Sequence, residues 1–225
     1  KISLASDDTL YVLGDMIDRG PDPVGVIKLV RSLPNARVLK GNHEQIMLDA
    51  IIGQDPLDAE TWDINGGWTT RQQLNDMEFE AYEELVRWMA TLPLYAVVET
   101  DERPYLLVHA GIQTEAARAF LFEHGVDCAD GTGAVDADRE LLKQMLAVQS
   151  SDDLLWIRHG YWDAPTGLLS AEGKGPVVVS GHTPTVSLGR YCEVGGLAGL
   201  DEESGRGQIV RLGGEDTAGV PDRID

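Results

Sequence analysis

Four short segments carry residue types that suit metal chemistry: Gly14-Asp15-Met16-Ile17-Asp18-Arg19-Gly20, Gly41-Asn42-His43-Glu44, Val108-His109-Ala110-Gly111 and Ser180-Gly181-His182-Thr183-Pro184. Each follows an apolar, strand-like run. Strand ends that meet on one edge of a sheet would collect Asp15, Asn42, His109 and His182, a mixed set of oxygen and nitrogen donors. Oxygen donors by themselves would suit magnesium or calcium, whereas two imidazoles point to manganese, iron or zinc. Taken singly, each residue has an ordinary explanation: an aspartate after a strand is commonly a turn former or a helix cap, and His109 could be a hydrogen-bonded core residue. The ordered combination is what singles them out.

The elements that must position these segments are legible in the hydrophobic pattern. Leu10 to Leu13, Pro23 to Leu33 and Ala36 to Leu39 read as strand, helix and strand, a βαβ unit whose helix presents Val24, Ile27, Leu29 and Val30 as an apolar face. The polar loops after both strands lie at carboxyl ends, where open α/β sheets place ligands. Helical spacing resumes over Glu44 to Ile52 and over Glu78 to Ala90, the latter with Phe79, Tyr82, Leu85, Val86 and Met89 facing a core. Trp62, Trp68 and Trp88 read as packing residues, and His124 and His159 as surface residues. Leu94 to Val98 and Tyr105 to Val108 predict a hairpin turning at Asp101 to Pro104, and Val177 to Val179 a further strand. Asp127 to Asp138 reads as a mobile surface loop, followed by a helix over Arg139 to Val148. Beyond residue 195, Gln208 to Leu212 is the one strand candidate.

Composition narrows the function classes. The 225 residues carry 38 acidic against 18 basic side chains, a formal charge of −20, so the surface repels nucleic-acid backbones and anionic membranes. With 43% hydrophobic residues the chain can build a core, and its length predicts a single domain over residues 1–225. No apolar run approaches the roughly 20 residues that cross a bilayer, and the first residues show no export pattern. Cys128 and Cys192 make neither a disulfide framework nor a thiolate cluster, so both read as free thiols in a reducing, cytoplasmic setting.

The segments GDMIDRG, GNHE, HAG and SGHTP, in this order from Gly14 to Pro184, resemble the serine/threonine phosphoprotein phosphatase branch of the calcineurin-like metallophosphoesterases. The look is nearest to small bacterial and phage enzymes, and Trp62 with Asn65-Gly66-Gly67-Trp68 adds to it. The resemblance implies an α/β fold of two packed mixed β-sheets flanked by helices, and two divalent transition metal ions, manganese ahead of iron or zinc. Asp15 would bridge the metals, with Asn42, His109 and His182 completing the shell of one. A paired-metal site activates water and clamps both the attacking and the leaving oxygen of a phosphoryl transfer. His43 would protonate the leaving alcohol and Asp18 would orient that imidazole. Arg19 and Arg158, with Asn42, would hold the phosphate, Arg158 on a looser motif match. Glu44 is expected to serve the loop and the following helix.

The implied activity is hydrolysis of phosphate monoesters on a phosphorylated protein or peptide, with symmetrical dinucleoside tetraphosphate hydrolysis and a catalytically silent phosphate-binding module as alternatives. Asp18 and Glu44 favour the protein phosphatase, and the acidic surface, which repels strongly acidic substrates until salt screens it, favours basic or neutral phosphopeptides among its substrates. The resemblance also implies an amino-terminal Gly-Asp-x-His-Gly segment and a closing strand, neither found in Lys1–Asp225, so the fold is expected to be shortened at both ends. Ala110 stands where a second glycine is common in the family, which requires negative φ at that position.

Overall fold

A computed structural model describes residues 4–53, 55–191 and 209–224. The chain divides into two compact units, Lys1–Leu94 and Tyr95–Asp225. The fold is mixed α/β with helices and two sheets.

The first unit opens with β1 (Leu10–Val12), α1 (Pro23–Ser32) and β2 (Ala36–Val38), and the two strands pair in parallel with Leu10 opposite Ala36 and Val12 opposite Val38. Helix α1 starts where Asp22 accepts from the Gly25 N–H and Pro23 supplies a preset φ. Val24, Ile27 and Val30 are buried, but Leu29 is 62% exposed. It stands two residues after Ile27, about 200° around the helix, so the expected apolar face is narrower by that residue. Four helices follow: α2 (Asn42–Ile52), α3 (Pro56–Ile64), α4 (Trp68–Asn75) and α5 (Phe79–Ala90). Their core includes Ile17, Ile27, Met47, Trp62, Leu74, Leu85 and Met89. Burial deepens along α5, from exposed Phe79 through partly buried Tyr82 to Met89, so Phe79 is not the core residue its spacing suggested.

The sequence pattern did not signal α3 and α4. Each buries little, Trp62 in the first and Thr70 and Leu74 in the second, so no apolar stripe announces them. The Asp55-Pro56 start of α3, where Asp55 accepts from the Leu57 N–H, was the available signal.

The second unit holds β3 (Tyr95–Glu99), β4 (Pro104–Val108), α6 (Thr114–Glu123), α7 (Arg139–Ala147), α8 (Ser151–Trp156), β5 (Val177–Val179), β6 (Arg211–Leu212) and β7 (Arg223–Ile224). The sheet runs β3-β4-β5-β7-β6. The predicted hairpin is antiparallel β3–β4, while β4–β5 and β5–β7 are parallel. Strand β7 had no apolar signal because it carries Arg223, which is 3% exposed. That guanidinium donates to the Tyr161 and Ala164 carbonyls, stands 3.3 Å from the Asp222 carboxylate and lies over the Tyr161 and Trp162 rings. Those partners offset its desolvation, which is how a charged residue can occupy a buried strand.

Residues 127–138 differ from the expected surface loop. Cys128 and Ala134 are buried, the Ala134 N–H donates to the Leu168 carbonyl at 2.8 Å, and the Gly131 carbonyl accepts from the Ala171 N–H at 2.8 Å. Burial also raises the Cys128 thiol pKa, a thiol free of any disulfide, whereas Cys192 lies outside the described residues. Of the strand expected over Gln208 to Leu212, Gln208 falls outside them too and β6 keeps the last two residues. Among the described residues no helix is long and apolar enough to cross a membrane.

Candidate functional site

Because β1 and β2 are parallel, their carboxyl ends lie side by side and release the loops bearing Asp15 and Asn42 from one edge. Asp15, Asp18 and Arg19 all adopt positive φ, of 54°, 67° and 55°, a conformation that L side chains seldom take. Such backbone persists where the surroundings hold it, and here three anchors do. The Glu44 carboxylate accepts from the N–H groups of Asp15 (2.9 Å), Met16 (2.8 Å) and Gly41 (2.8 Å). The Asp18 N–H donates to Thr70 Oγ1 at 2.9 Å, and the Arg19 N–H to the Gly66 carbonyl at 3.1 Å. Glu44 is fully buried, and desolvation followed by the nearby Asp15 charge raises its pKa, with the three N–H donors acting in the opposite direction. Its service to the loop is thus larger than a first-turn charge: it ties the β1 loop to the β2 loop.

Gly41 is required at that junction. A Cβ there would stand 2.3 Å from Asp15 Oδ1 and 2.4 Å from the Asp15 nitrogen. The close approach lets α2 begin at Asn42, two residues before the predicted Glu44, so Asn42 and His43 occupy its first turn. The His43 N–H then donates to Asp15 Oδ1 at 3.2 Å, where the partial positive charge of a helix start favours a carboxylate.

His43 and Asp18 are both buried, with His43 Nδ1 2.7 Å from Asp18 Oδ2. Asp18 Oδ1 also accepts from Thr70 Oγ1 at 2.7 Å, and both its oxygens lie within reach of Trp62 Nε1, at 3.1 and 3.2 Å. Arg19 is exposed, its Nε donating to the Asn65 carbonyl at 3.1 Å. Trp62 is buried as a packing residue should be, yet its indole N–H is spent on Asp18; Trp68, by contrast, is 62% exposed and does not pack.

In the second unit the parallel pair β4–β5 does for the histidines what β1–β2 does for Asp15 and Asn42. His109 directly follows β4, His182 follows β5, and the Gly181 N–H donates to the His109 carbonyl at 2.8 Å. His182 has φ 66°, which turns its ring back so that His109 Nε2 and His182 Nδ1 stand 3.2 Å apart. The Trp156 ring meets His182 edge to face at 5.9 Å. With metal–nitrogen bonds of about 2.0–2.1 Å and angles between about 90° and 109°, two ligating nitrogens stand roughly 2.8–3.4 Å apart. The observed separation fits a shared divalent transition ion. Ala110 lies outside the positive-φ set and is fully buried, as its place required. Arg158 is half-buried just after α8 and makes no ion pair among the described residues. His124 and His159 are exposed, as expected.

A family model for calcineurin-like phosphoesterase matches residues 2–205. The chain belongs to the calcineurin-like phosphoesterase family. This is a family of metal-dependent phosphoester hydrolases, in keeping with the donor chemistry of both units. Similar relatives include symmetrical bis(5'-nucleosyl)-tetraphosphatases of Erwinia tasmaniensis, 34% identical over 47% of this chain and 34% of the relative, and of Proteus mirabilis, 28% identical over 84% of this chain and 59% of the relative. Serine/threonine-protein phosphatase 1 of Salmonella typhimurium is 36% identical over 46% of this chain and 45% of the relative. Most of the curated relatives it resembles carry the tetraphosphatase name, and the chain spans between a third and three fifths of the length of those three. In this region the sequence reading missed Thr70 and the indole function of Trp62, whose partner Asp18 is distant in the chain; the Asn65-Gly66-Gly67 turn beside them was the available signal.

Proposed function

We propose that this chain carries out metal-dependent hydrolysis of a bis(5'-nucleosyl) tetraphosphate, with residues 1–225 serving as one metallophosphoesterase domain. The names of most similar relatives support that substrate, and the buried His43–Asp18 pair beside Asn42 supports the chemistry. Asp15, Asn42, His109 and His182 are the proposed donors to divalent ions, with manganese the first choice. Bound there, such ions supply Lewis acidity and acidify water. The protein's own residues then hold the substrate and move a proton. Arg19 and Arg158 fix phosphate oxygens, their planar guanidinium groups staying charged throughout, and Asn42 adds a neutral donor. As water oxygen bonds to phosphorus and the bond to the leaving oxygen breaks, His43 Nε2 gives its proton to that oxygen, while Asp18 accepts from Nδ1–H and supports the imidazolium.

One observation favours a second reading, hydrolysis of phosphoserine or phosphothreonine. A buried, oriented general acid gains most where the leaving group is a poor one such as an alkoxide, and a phosphate leaving group with a pKa of about 6 needs it less. Rates on diadenosine tetraphosphate and on a phosphothreonine peptide, both with added manganese, separate the two. The first reading predicts a larger kcat/KM on the dinucleotide. A preference for the peptide would overturn it in favour of the phosphatase.

A further inference from the structure

We propose that Trp62 and Thr70 are positioning residues that hold Asp18 as a hydrogen-bond acceptor and thereby fix His43 in the Nδ1–H form with Nε2 directed to the reaction. The inference deepens the role given to His43 above and rests on it. The hydrogen positions follow from donor chemistry. A backbone N–H can only donate, so Thr70 Oγ1 must accept from the Asp18 N–H at 2.9 Å. The single hydroxyl hydrogen of Thr70 is then left for Asp18 Oδ1 at 2.7 Å. Trp62 Nε1 is likewise a donor only, and it reaches both carboxylate oxygens. With donors assigned on each side, Asp18 Oδ2 is left to accept from His43 Nδ1 at 2.7 Å. In neutral His43 the hydrogen therefore resides on Nδ1, and Nε2 is the nitrogen that exchanges a proton with substrate.

The same network holds the backbone. Thr70 anchors residue 18 in its positive-φ conformation, so one side chain fixes both the carboxylate and the loop it stands on. Gly67 completes the arrangement. Its φ is −75°, which alanine adopts freely, but a Cβ at that position would stand 2.1 Å from Trp62 Cδ1 and 2.2 Å from Nε1. Glycine there is a matter of space for the indole and not of backbone conformation. Trp62, Gly67 and Thr70 thus form a unit within one stretch of chain, 44 to 52 residues from the aspartate it serves.

The test uses three substitutions and two readouts. Trp62→Phe keeps the ring and removes the donor, Thr70→Val keeps the shape and removes both bonds, and Gly67→Ala displaces the indole while leaving Trp62, Thr70 and Asp18 themselves unsubstituted. Each is expected to lower kcat on an alkyl phosphate by roughly 10- to 100-fold and on p-nitrophenyl phosphate by much less, because misplaced acid groups harm poor leaving groups most. Thr70→Ser is expected to restore the wild-type ratio. Independently of turnover, the 15N shifts of His43 in metal-free protein should report Nδ1–H in the wild type and a mixture of tautomers in Thr70→Val. Folded Trp62→Phe and Gly67→Ala proteins with a wild-type ratio of alkyl to aryl rates and an unchanged His43 tautomer would overturn the proposal. Should His43→Ala itself reduce both esters equally, the general-acid reading fails, while the tautomer measurement still decides whether Trp62 and Thr70 hold the dyad.

Discussion

The cluster after β1 and β2 and the histidine pair after β4 and β5 reach similar chemistry by different means. His109 and His182 are brought together by strand register: β4 and β5 are parallel, Leu107 faces Val179, and both chains turn off the same edge. A backbone bond, Gly181 N–H to the His109 carbonyl, links the two turns. Around Asp15, parallel pairing supplies just the neighbourhood, and side chains do the fixing: Glu44 takes three backbone N–H groups, and Thr70 and Trp62 take Asp18. A ligand pair needs its nitrogens at one separation, which a sheet gives directly. A general acid needs a chosen tautomer and direction, which takes a network of donors.

The difference predicts how each region breaks. Asp15→Ala and His182→Ala should have the largest effect, loss of manganese binding and at least 10³-fold of the metal-dependent turnover, since each removes a proposed donor. Manganese content by atomic absorption beside a rate assay checks this, and full occupancy with retained turnover would count against the donor assignment. His43→Ala should come next. It should keep its metal and lose on the order of 10²-fold on an alkyl phosphate, with a smaller loss on p-nitrophenyl phosphate or diadenosine tetraphosphate. Equal losses on all three would remove the contrast between donors and acid.

How much of this was legible beforehand follows from the same contrast. Short segments after apolar runs marked Asp15, Asn42, His109 and His182 as candidates, and the strand–helix–strand pattern gave the parallel β1–β2 pair, because a strand end and its loop are adjacent in sequence. The Asp18 clamp joins residues 44 to 52 positions apart, across two helices with barely any apolar stripe, and no local pattern encodes it. Spacing also overreached where an element's end is exposed, as at Phe79, or where a residue sits off the stripe, as at Leu29. Strand β7 was invisible for an opposite reason: its buried residue is an arginine, made tolerable by Asp222, two carbonyls and two aromatic rings that sequence does not reveal.

Smaller effects sharpen the comparison further. Glu44→Gln should destabilise the protein by about 1–3 kcal/mol, because an amide cannot accept on both sides and would turn an N–H toward buried donors. Chemical denaturation reads this, and an unchanged midpoint would show that the β1 loop is held by other means. Arg19→Ala should act mainly through KM, by several-fold, since an exposed guanidinium held by the Asn65 carbonyl, in the phosphate-binding role proposed for it, would bind ground and transition state alike. A fall in kcat with KM unchanged would place that side chain in the transition state instead.

The proposed donors and the His43–Asp18 pair together should support metal-dependent hydrolysis of phosphate esters. Turnover of p-nitrophenyl phosphate by the protein, measured after chelation and again after adding manganese, with metal content determined in both states, tests it most directly. Turnover should be absent after chelation and return in step with bound manganese, and Asp15→Ala should lose both. Turnover that survives complete metal removal, or manganese that binds without supporting any, would contradict it.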